Sequence, residues 1–571
     1  MSGLSRREVP APGAAPMPAA NAAALLRRNA WDPAIRDRPA LRFEDRVWTH
    51  AEFLVESCRW ANLLLSRQEP GRPLHVGVLL DNVPEYLFAF GGAALAGAAI
   101  VGVNHTRRGV HLLHDVRHTD CGILVTEPRH AGLIDPIRDQ LEMPILTVGQ
   151  DLEDALAEVG TDDPHLDPDP SRHWGLIFTS GTSEAPKAVI CSQRRVMVSG
   201  ARMASIMGLE ADDVGYVCMP LFHSNAVLVG WAPSLVLGAS IGLGRRFSAS
   251  RWLSDIRHYG ATYFNYVGKP LSYLLMVPEQ SDDHDNPLRV AFGNEGAPAV
   301  VEAFSTRFGV EVIDTFGATE GGVAVLRTDD SPPGALGLAG PDVKVVNDDG
   351  VELAPACFDD EGRLLDPEAC VGEIVNTTGV GPFEGYYNND AANARATRYG
   401  WYWTGDLGYV DDAGYLYFAG RSADWIRVDG ENFPAGPIEV ALARHPDVLF
   451  VAVYGVPDAI AGDQVMATIV LRDGTTFDSE AFGRWLDDQA DVGPKWRPRY
   501  LRVTPAMPTS PTNKILVRAL VHDKYRPDRT GGDPVWVRGR EDRAFRPFTA
   551  VDSEAVRAEL DAAGRGRFWD L

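Results

Sequence analysis

Short aliphatic runs alternate with helix-length amphipathic stretches along most of this chain, and that alternation narrows the fold more than any other feature. Residues 76–80, 100–103, 123–126, 176–179 and 312–314 read as strands, and stretches such as 49–66 read as helices. Strands that alternate with helices imply an α/β fold. At 571 residues, with 45% hydrophobic and 23% charged content, the chain is too long for one core, so at least two domains are expected. The segment 420–436, GRSADWIRVDGENFPAG, joins a turn-rich region to a new pattern: helix 438–444, strand 449–453, strand 464–471, helix 479–489. That pattern describes a small separate α+β domain after a linker. The expected division is an arm over 1–20, a large domain over 21–421 and a small domain over 422–571, with a surface extension after about 525. No internal repeat is evident, and only the Ala/Pro-rich start is of low complexity.

One run, 86–103 (YLFAFGGAALAGAAIVGV), carries no charge and approaches the ~18 residues at which a membrane span becomes plausible. It is rich in Gly and Ala, and Asp81 and Glu85 before it supply no positive anchor. A buried helix turning into a core strand is the better reading, so no integral membrane span is expected. The formal net charge of −24 argues against nucleic acid as a partner. The six cysteines (58, 121, 191, 218, 357, 370) show no metal or disulfide spacing, which fits a reducing cytoplasm. The first twenty residues hold charges and prolines but no apolar core of signal-peptide length.

The segment Leu176-Ile-Phe-Thr-Ser-Gly-Thr-Ser-Glu-Ala-Pro-Lys-Ala-Val189 places a strand before hydroxyls, a glycine and a lysine. The hydroxyls of Thr179, Ser180, Thr182 and Ser183, backbone N–H groups freed by Gly181, and the charge of Lys187 suit a polyanion. Taken alone, the stretch is equally well a polar surface loop, and it lacks the Walker A spacing.

Other segments give it context. The loop resembles the phosphate loop of the adenylate-forming superfamily, which includes acyl-CoA synthetases, luciferases and peptide-synthetase adenylation domains. Further matches follow in that family's order over roughly residues 40–520. Pro220-Leu-Phe-His-Ser-Asn225 resembles its substrate gate, Phe316-Gly-Ala-Thr-Glu320 its YGxTE segment, and Gly372-Glu373 the following strand. Trp401-Tyr-Trp-Thr-Gly-Asp406 resembles its W-[YF]-x-T-G-D segment. Gly420-Arg421 with Asp424 and Gly430-Glu-Asn432 resemble its hinge, and Pro508-Thr-Ser-Pro-Thr-Asn-Lys514 its catalytic-lysine motif. Gly293-Asn-Glu-Gly-Ala-Pro298, Tyr266-Val-Gly-Lys269 and Val453-Tyr-Gly-Val456 are most similar to fatty-acid-transport-protein-like and actinobacterial steroid or fatty acyl-CoA ligases.

The resemblance implies a large multi-subdomain adenylating domain followed by a small mobile C-terminal one. It implies ATP-dependent activation of a carboxylic acid as an acyl-adenylate and transfer of the acyl group to coenzyme A. Thr179, Ser180, Gly181, Thr182, Ser183 and Lys187 would hold the ATP phosphates, and Glu320 would bind Mg²⁺, a hard cation suited to a carboxylate beside phosphates. Glu295, Gly296, Ala297, Thr315, Phe316, Gly317 and Thr319 would form the nucleotide pocket. Asp406, assisted by Arg421, would hold the ribose hydroxyls, and Asp406 and Glu320 would both stand in the large domain. Lys514 would be the catalytic ammonium and Gly430 would line the coenzyme A channel after rotation near 422–424. His223 would gate the acid or else satisfy a core hydrogen bond. Only six of the 54 basic residues are lysine, and two of them stand at these motifs.

The chain departs from the family at Glu184, where the phosphate loop usually carries Gly; a carboxylate there opposes ATP phosphates unless it points to solvent. Aromatic and small residues interleave over 223–231, 263–269 and 293–297, which suits an acid with a hydrophobic body. Two other functions stay open: loading a carrier protein instead of coenzyme A, and a non-catalytic ATP- or acyl-binding role. A homodimer is also open.

Overall fold

The computed structural model describes residues 17–570, except 180–186, 269, 295, 297, 329, 333, 359–363, 422–424, 429–430, 460, 490–491, 511–513, 540–541 and 564. The chain packs into two units. The first comprises the residues before 330 together with 378–402; the second comprises 330–377, 403–510 and 514 onward.

Two sheets organise the first unit. One has six strands in the order Ile145–Thr147, Ile123–Thr126, His75–Leu79, Ala99–Gly102, His173–Thr179, Lys187–Ser192. Its pairs are parallel until the last two strands, which form an antiparallel hairpin that pairs Thr179 with Lys187. The other has eight strands, with Tyr263–Val267, Val290–Asn294 and Glu311–Gly317 as parallel neighbours.

The helix His50–Ser66 starts where Thr49 accepts from Glu52 N and the Glu52 carboxylate takes the Thr49 N–H at 2.8 Å. This reciprocal cap satisfies two otherwise unpaired N–H groups. The apolar run splits as its composition suggests, into helix Pro84–Ala96, a left-handed Gly97 (φ 71°) and strand Ala99–Gly102. Its glycines have a packing reason. A Cβ on Gly92 would lie 2.5 Å from Trp60 Cβ, so the two helices approach closely only without one. No helix among the described residues is long and apolar enough to cross a membrane.

The second unit contains a five-stranded sheet in the order Ala335–Leu338, Tyr415–Arg421, Tyr402–Val410, Gly372–Asn376, Val343–Val346. It also contains a seven-stranded sheet built on the long pair Val448–Asp458 and Gly462–Leu471. The expected strand at 449–453 is therefore longer, because after one register shift between Val448 and Phe450 its partner stays paired through Asp458. Beyond 525 the chain is an integral part of this unit and not a surface extension. Strands Val535–Val537 and Arg546–Pro547 continue the sheet past Tyr500–Val503. Tyr525 packs on Tyr500, Phe548 and Trp569, with ring centroids 4.6, 5.5 and 6.1 Å apart.

Candidate active site

Parallel strands present their carboxyl ends to a common edge, and ligands of α/β sheets bind at such edges. In the eight-stranded sheet that edge holds Gly293–Asn294, Gly296 and the end of Glu311–Gly317. Asp314 is buried there and accepts from Tyr266 Oη at 2.7 Å and from Gly296 N at 2.8 Å through the same Oδ2. Burial and that carboxylate push the Tyr266 phenol well above its ordinary value, so it remains a donor. Asn294 Nδ2 donates to Thr315 O at 2.8 Å and Thr315 Oγ1 donates to Gly293 O at 3.2 Å. These bonds set Gly296 and Thr315 as a fixed rim, with Phe316 half-buried and Gly317 exposed beyond them.

The strand then turns through Ala318 into Thr319 and Glu320, where two structures hold the chain. Arg195, buried near the start of helix Gln193–Met207, donates from one Nη to Thr319 O and from the other to Ile190 O. The Thr319 hydroxyl shares a 2.7 Å hydrogen bond with Ser224, one residue after His223. Glu320 is 8% exposed and its Oε1 accepts from Tyr386 Oη at 2.9 Å. The Lys187 ammonium lies 5.2 Å from the centre of the Tyr386 ring, a cation–π distance. Lys187, Tyr386, Glu320, Thr319 and Ser224 thus form one chain of contacts linking the hairpin that bears Lys187 to the segment that follows strand Val214–Val217.

His223 is half-buried, and its Nδ1 accepts from Asn225 N at 3.2 Å. In the neutral ring this leaves the proton on Nε2. Asn225–Trp231 continues as a π-helical segment. Wide turns of this kind are frequent at functional sites.

Asp406 and Lys514 both pack into the second unit, whereas the expected division set Asp406 with Glu320. The cause is sheet pairing: Tyr402–Val410 is bonded on both sides inside the five-stranded sheet. Asp406 is buried and stands opposite Arg421 across the antiparallel pair. Gly405 is left-handed (φ 75°), and its N–H donates to Glu373 Oε1 at 2.8 Å. The Gly372-Glu373 motif therefore holds the Thr-Gly-Asp turn. Lys514 is half-buried in a loop closed by Ser510 N–H to Lys514 O at 2.7 Å and Leu516 N–H to Pro508 O at 2.8 Å.

Ser180, Gly181, Thr182, Ser183, Glu184, Glu295, Ala297, Gly430 and residues 422–424 lie outside the described residues, as do 1–16 of the expected arm and the side chain of Arg421. Sequence reasoning missed Arg195, Tyr386, Asp314 and the role of Glu373. Tyr386 carries a faint signal, following a glycine in the Gly-Tyr-Tyr-Asn run at 385–388.

A separate buried group, Asp81, Glu127 and His130, has its ligand atoms within 4.8 Å of one another. Arg129 bonds Asp81 and Arg245 bonds Glu127 at 3.0 Å, so its charge is already balanced without a metal.

Comparison with known proteins gives the family. The family described as AMP-binding enzyme matches residues 28–387, and its C-terminal domain matches 437–514. A steroid-22-oyl-CoA synthetase of Rhodococcus jostii is 44% identical over 540 residues, covering 93% of this chain and 96% of that protein. A medium/long-chain fatty acid–CoA ligase of Mycobacterium marinum is 46% identical over 502 residues, covering 88% and 96%. The crystal structure of an anthranilate CoA ligase with anthranoyl-AMP shares the fold, with a TM-score of 0.77 at 23% identity over 89% of this chain and 98% of that one. With a family match over more than half of its length and such relatives, the chain belongs to the AMP-binding enzyme family, as an AMP-forming acid–thiol ligase that uses ATP and coenzyme A.

Proposed function

We propose that this enzyme activates a hydrophobic carboxylic acid, a fatty acid or a steroid side-chain acid, as its coenzyme A thioester. The observation that carries the site assignment is the contact chain from Lys187 through Tyr386 and Glu320 to Thr319 and Ser224. It joins a cation, a carboxylate and the gate segment at strand ends. The names of the relatives support the acid class.

In the first half-reaction a carboxylate oxygen of the acid attacks the α-phosphorus, and the bond to pyrophosphate breaks. Lys187 with Thr179 and the hydroxyls at 180, 182 and 183 would bind the phosphates, while the Gly296, Thr315 and Phe316 rim, with Glu295, Ala297 and Gly317, would receive the base. Asp406 and Arg421 would bind the ribose, and Lys514 would steady the reacting carboxylate and α-phosphate. These are positioning and charge-neutralising tasks. Mg²⁺ fits the donor set, since Glu320 offers a buried hard oxygen that Tyr386 links to the Lys187 ammonium. When bound it would neutralise phosphate charge. In the second half-reaction the coenzyme A thiol attacks the acyl carbon and AMP leaves, with Gly430 near the incoming thiol. His223 would gate the acid. Six free cysteines support action in the cytoplasm. A homodimer is proposed as well; a monomeric mass by light scattering would overturn it.

Pyrophosphate release with ATP and Mg²⁺ across fatty, steroid and aromatic acids, with and without coenzyme A, tests the reading. Release that depends on fatty or steroid acids, with thioester formed once coenzyme A is added, is expected. Preference for small aromatic acids would overturn the acid class. Lys514→Ala is expected to lower acid-dependent release by at least about a hundredfold, while a supplied acyl-adenylate is still converted to thioester.

A further inference from the structure

The gate segment is held from the opposite sheet by a single amide. Asn82 follows strand His75–Leu79 of the six-stranded sheet and is 2% exposed. Its Nδ2 donates to Met219 O at 2.9 Å and to Gly244 O at 3.1 Å, and its Oδ1 accepts from Leu221 N at 2.9 Å. Its own backbone N–H donates to Arg245 O at 3.3 Å. Both amide protons and the carbonyl oxygen are thus engaged by backbone that follows strands Val214–Val217 and Ser240–Leu243 of the eight-stranded sheet.

Phe222, the next residue, is fixed from the same side. A Cβ built on Gly102 would lie 2.9 Å from Phe222 Cα, so the two backbones touch, and the His105 ring meets the Phe222 ring edge-on at 5.3 Å. His223 follows directly. Because strand Ala99–Gly102 pairs with His173–Thr179, this contact refers the gate to the very sheet that carries Thr179 and Lys187.

We infer that Asn82 is a positioning residue for acid use: it fixes the Met219–Phe222 backbone, and through it His223, relative to the phosphate-binding hairpin. A buried amide whose three partners all lie on the other sheet cannot be replaced without leaving main-chain groups unpaired. Its action runs through the acid side of the site and not through the nucleotide rim, which Asp314 and Asn294 hold independently. The inference rests on the gate role proposed for His223.

The test measures pyrophosphate release by the full-length enzyme, titrating acid at saturating ATP and then ATP at saturating acid. In Asn82→Ala, kcat/KM for the acid is expected to fall on the order of tenfold or more, with KM for ATP within about twofold of wild type. His105→Leu removes the edge contact with Phe222 and a stacked contact with His130, 5.3 Å between centroids, but no hydrogen bond to the gate, and serves if Asn82→Ala does not fold; it is expected to show the same split at smaller size. In a His223→Ala background most of the Asn82→Ala loss should disappear, since both changes act on one element. Equal losses for acid and ATP, or full additivity with His223→Ala, would overturn the inference while leaving the gate in place. An unchanged acid kcat/KM in His223→Ala alone would withdraw the gate role, and this inference with it.

Discussion

A carboxylate proposed to bind a cation has to be held in place without being neutralised, and the Tyr386–Glu320 pair is suited to this. The phenol is pushed above its ordinary value by burial and by the Glu320 charge, so it donates and never competes as an anion. Tyr386→Phe keeps the ring beneath Lys187 and deletes the 2.9 Å hydrogen bond to Glu320 together with the phenol's contact with Tyr402. A bond to a charged group contributes about 1.5–3 kcal/mol, and here it fixes the direction of the carboxylate proposed to hold the metal. The variant is therefore expected to raise KM for MgATP by roughly three- to tenfold, with kcat changed less. A fall in kcat with unchanged KM would mean that the phenol acts on the transition state instead. Glu320→Gln keeps the shape and removes the charge; its pyrophosphate release is expected to need a markedly higher Mg²⁺ concentration, read by titrating the metal at fixed ATP.

At the scale of elements, the nucleotide rim exists because neighbouring strands come closer than side chains allow. A Cβ on Gly293 would lie 2.4 Å from Tyr266 O of the adjacent parallel strand, and backbone cannot swing aside as a side-chain tip can. Gly293→Ala is expected to lose roughly 1–3 kcal/mol and to lower the thermal midpoint of the first unit. Gly132→Ala is the control: it lies in helix Ala131–Ile134 with nothing within 4 Å of the new methyl, and should be neutral or slightly stabilising. The α/β alternation was legible because short continuous aliphatic runs such as 123–126 survive as fully buried strands, here Ile123–Thr126. The site was legible only where its residues fall in continuous motifs, as Thr319-Glu320 and Thr404-Gly405-Asp406 do. Tyr386 reaches Glu320 across 66 residues, and Arg195 is one arginine among dozens, so neither announces itself locally. The end of the chain was opaque for a related reason. Strands of three and two residues carry no periodicity, and their burial depends on Tyr500 and Tyr525, which only the fold brings together.

Over the whole molecule, buried histidines make acid the stress to which folding should respond. Burial pushes the His50 imidazole down from 6.5 to about 4, while Nε2 hydrogen-bonds Gly238 O at 3.1 Å; desolvation also lowers His75, His105 and His173. The native ring is therefore neutral where the unfolded one already takes a proton. Its stabilising contribution is complete above pH 6.5 and is lost as pH falls from there to about 4, below which both states are protonated. The span between those two values corresponds to roughly 3 kcal/mol for this one ring. With two units the unfolding is not a single transition, so the useful quantity is a difference between proteins and not an absolute free energy. His50→Gln keeps an N–H able to reach Gly238 and removes the titration. Thermal midpoints measured from pH 7.5 down to pH 4.5 should favour wild type, or differ little, at the upper end, and the gap should move toward the variant as the pH drops. Parallel pH profiles for the two proteins would mean that the pocket admits the protonated ring at no cost, and the acid sensitivity would then have to be sought at His75, His105 and His173.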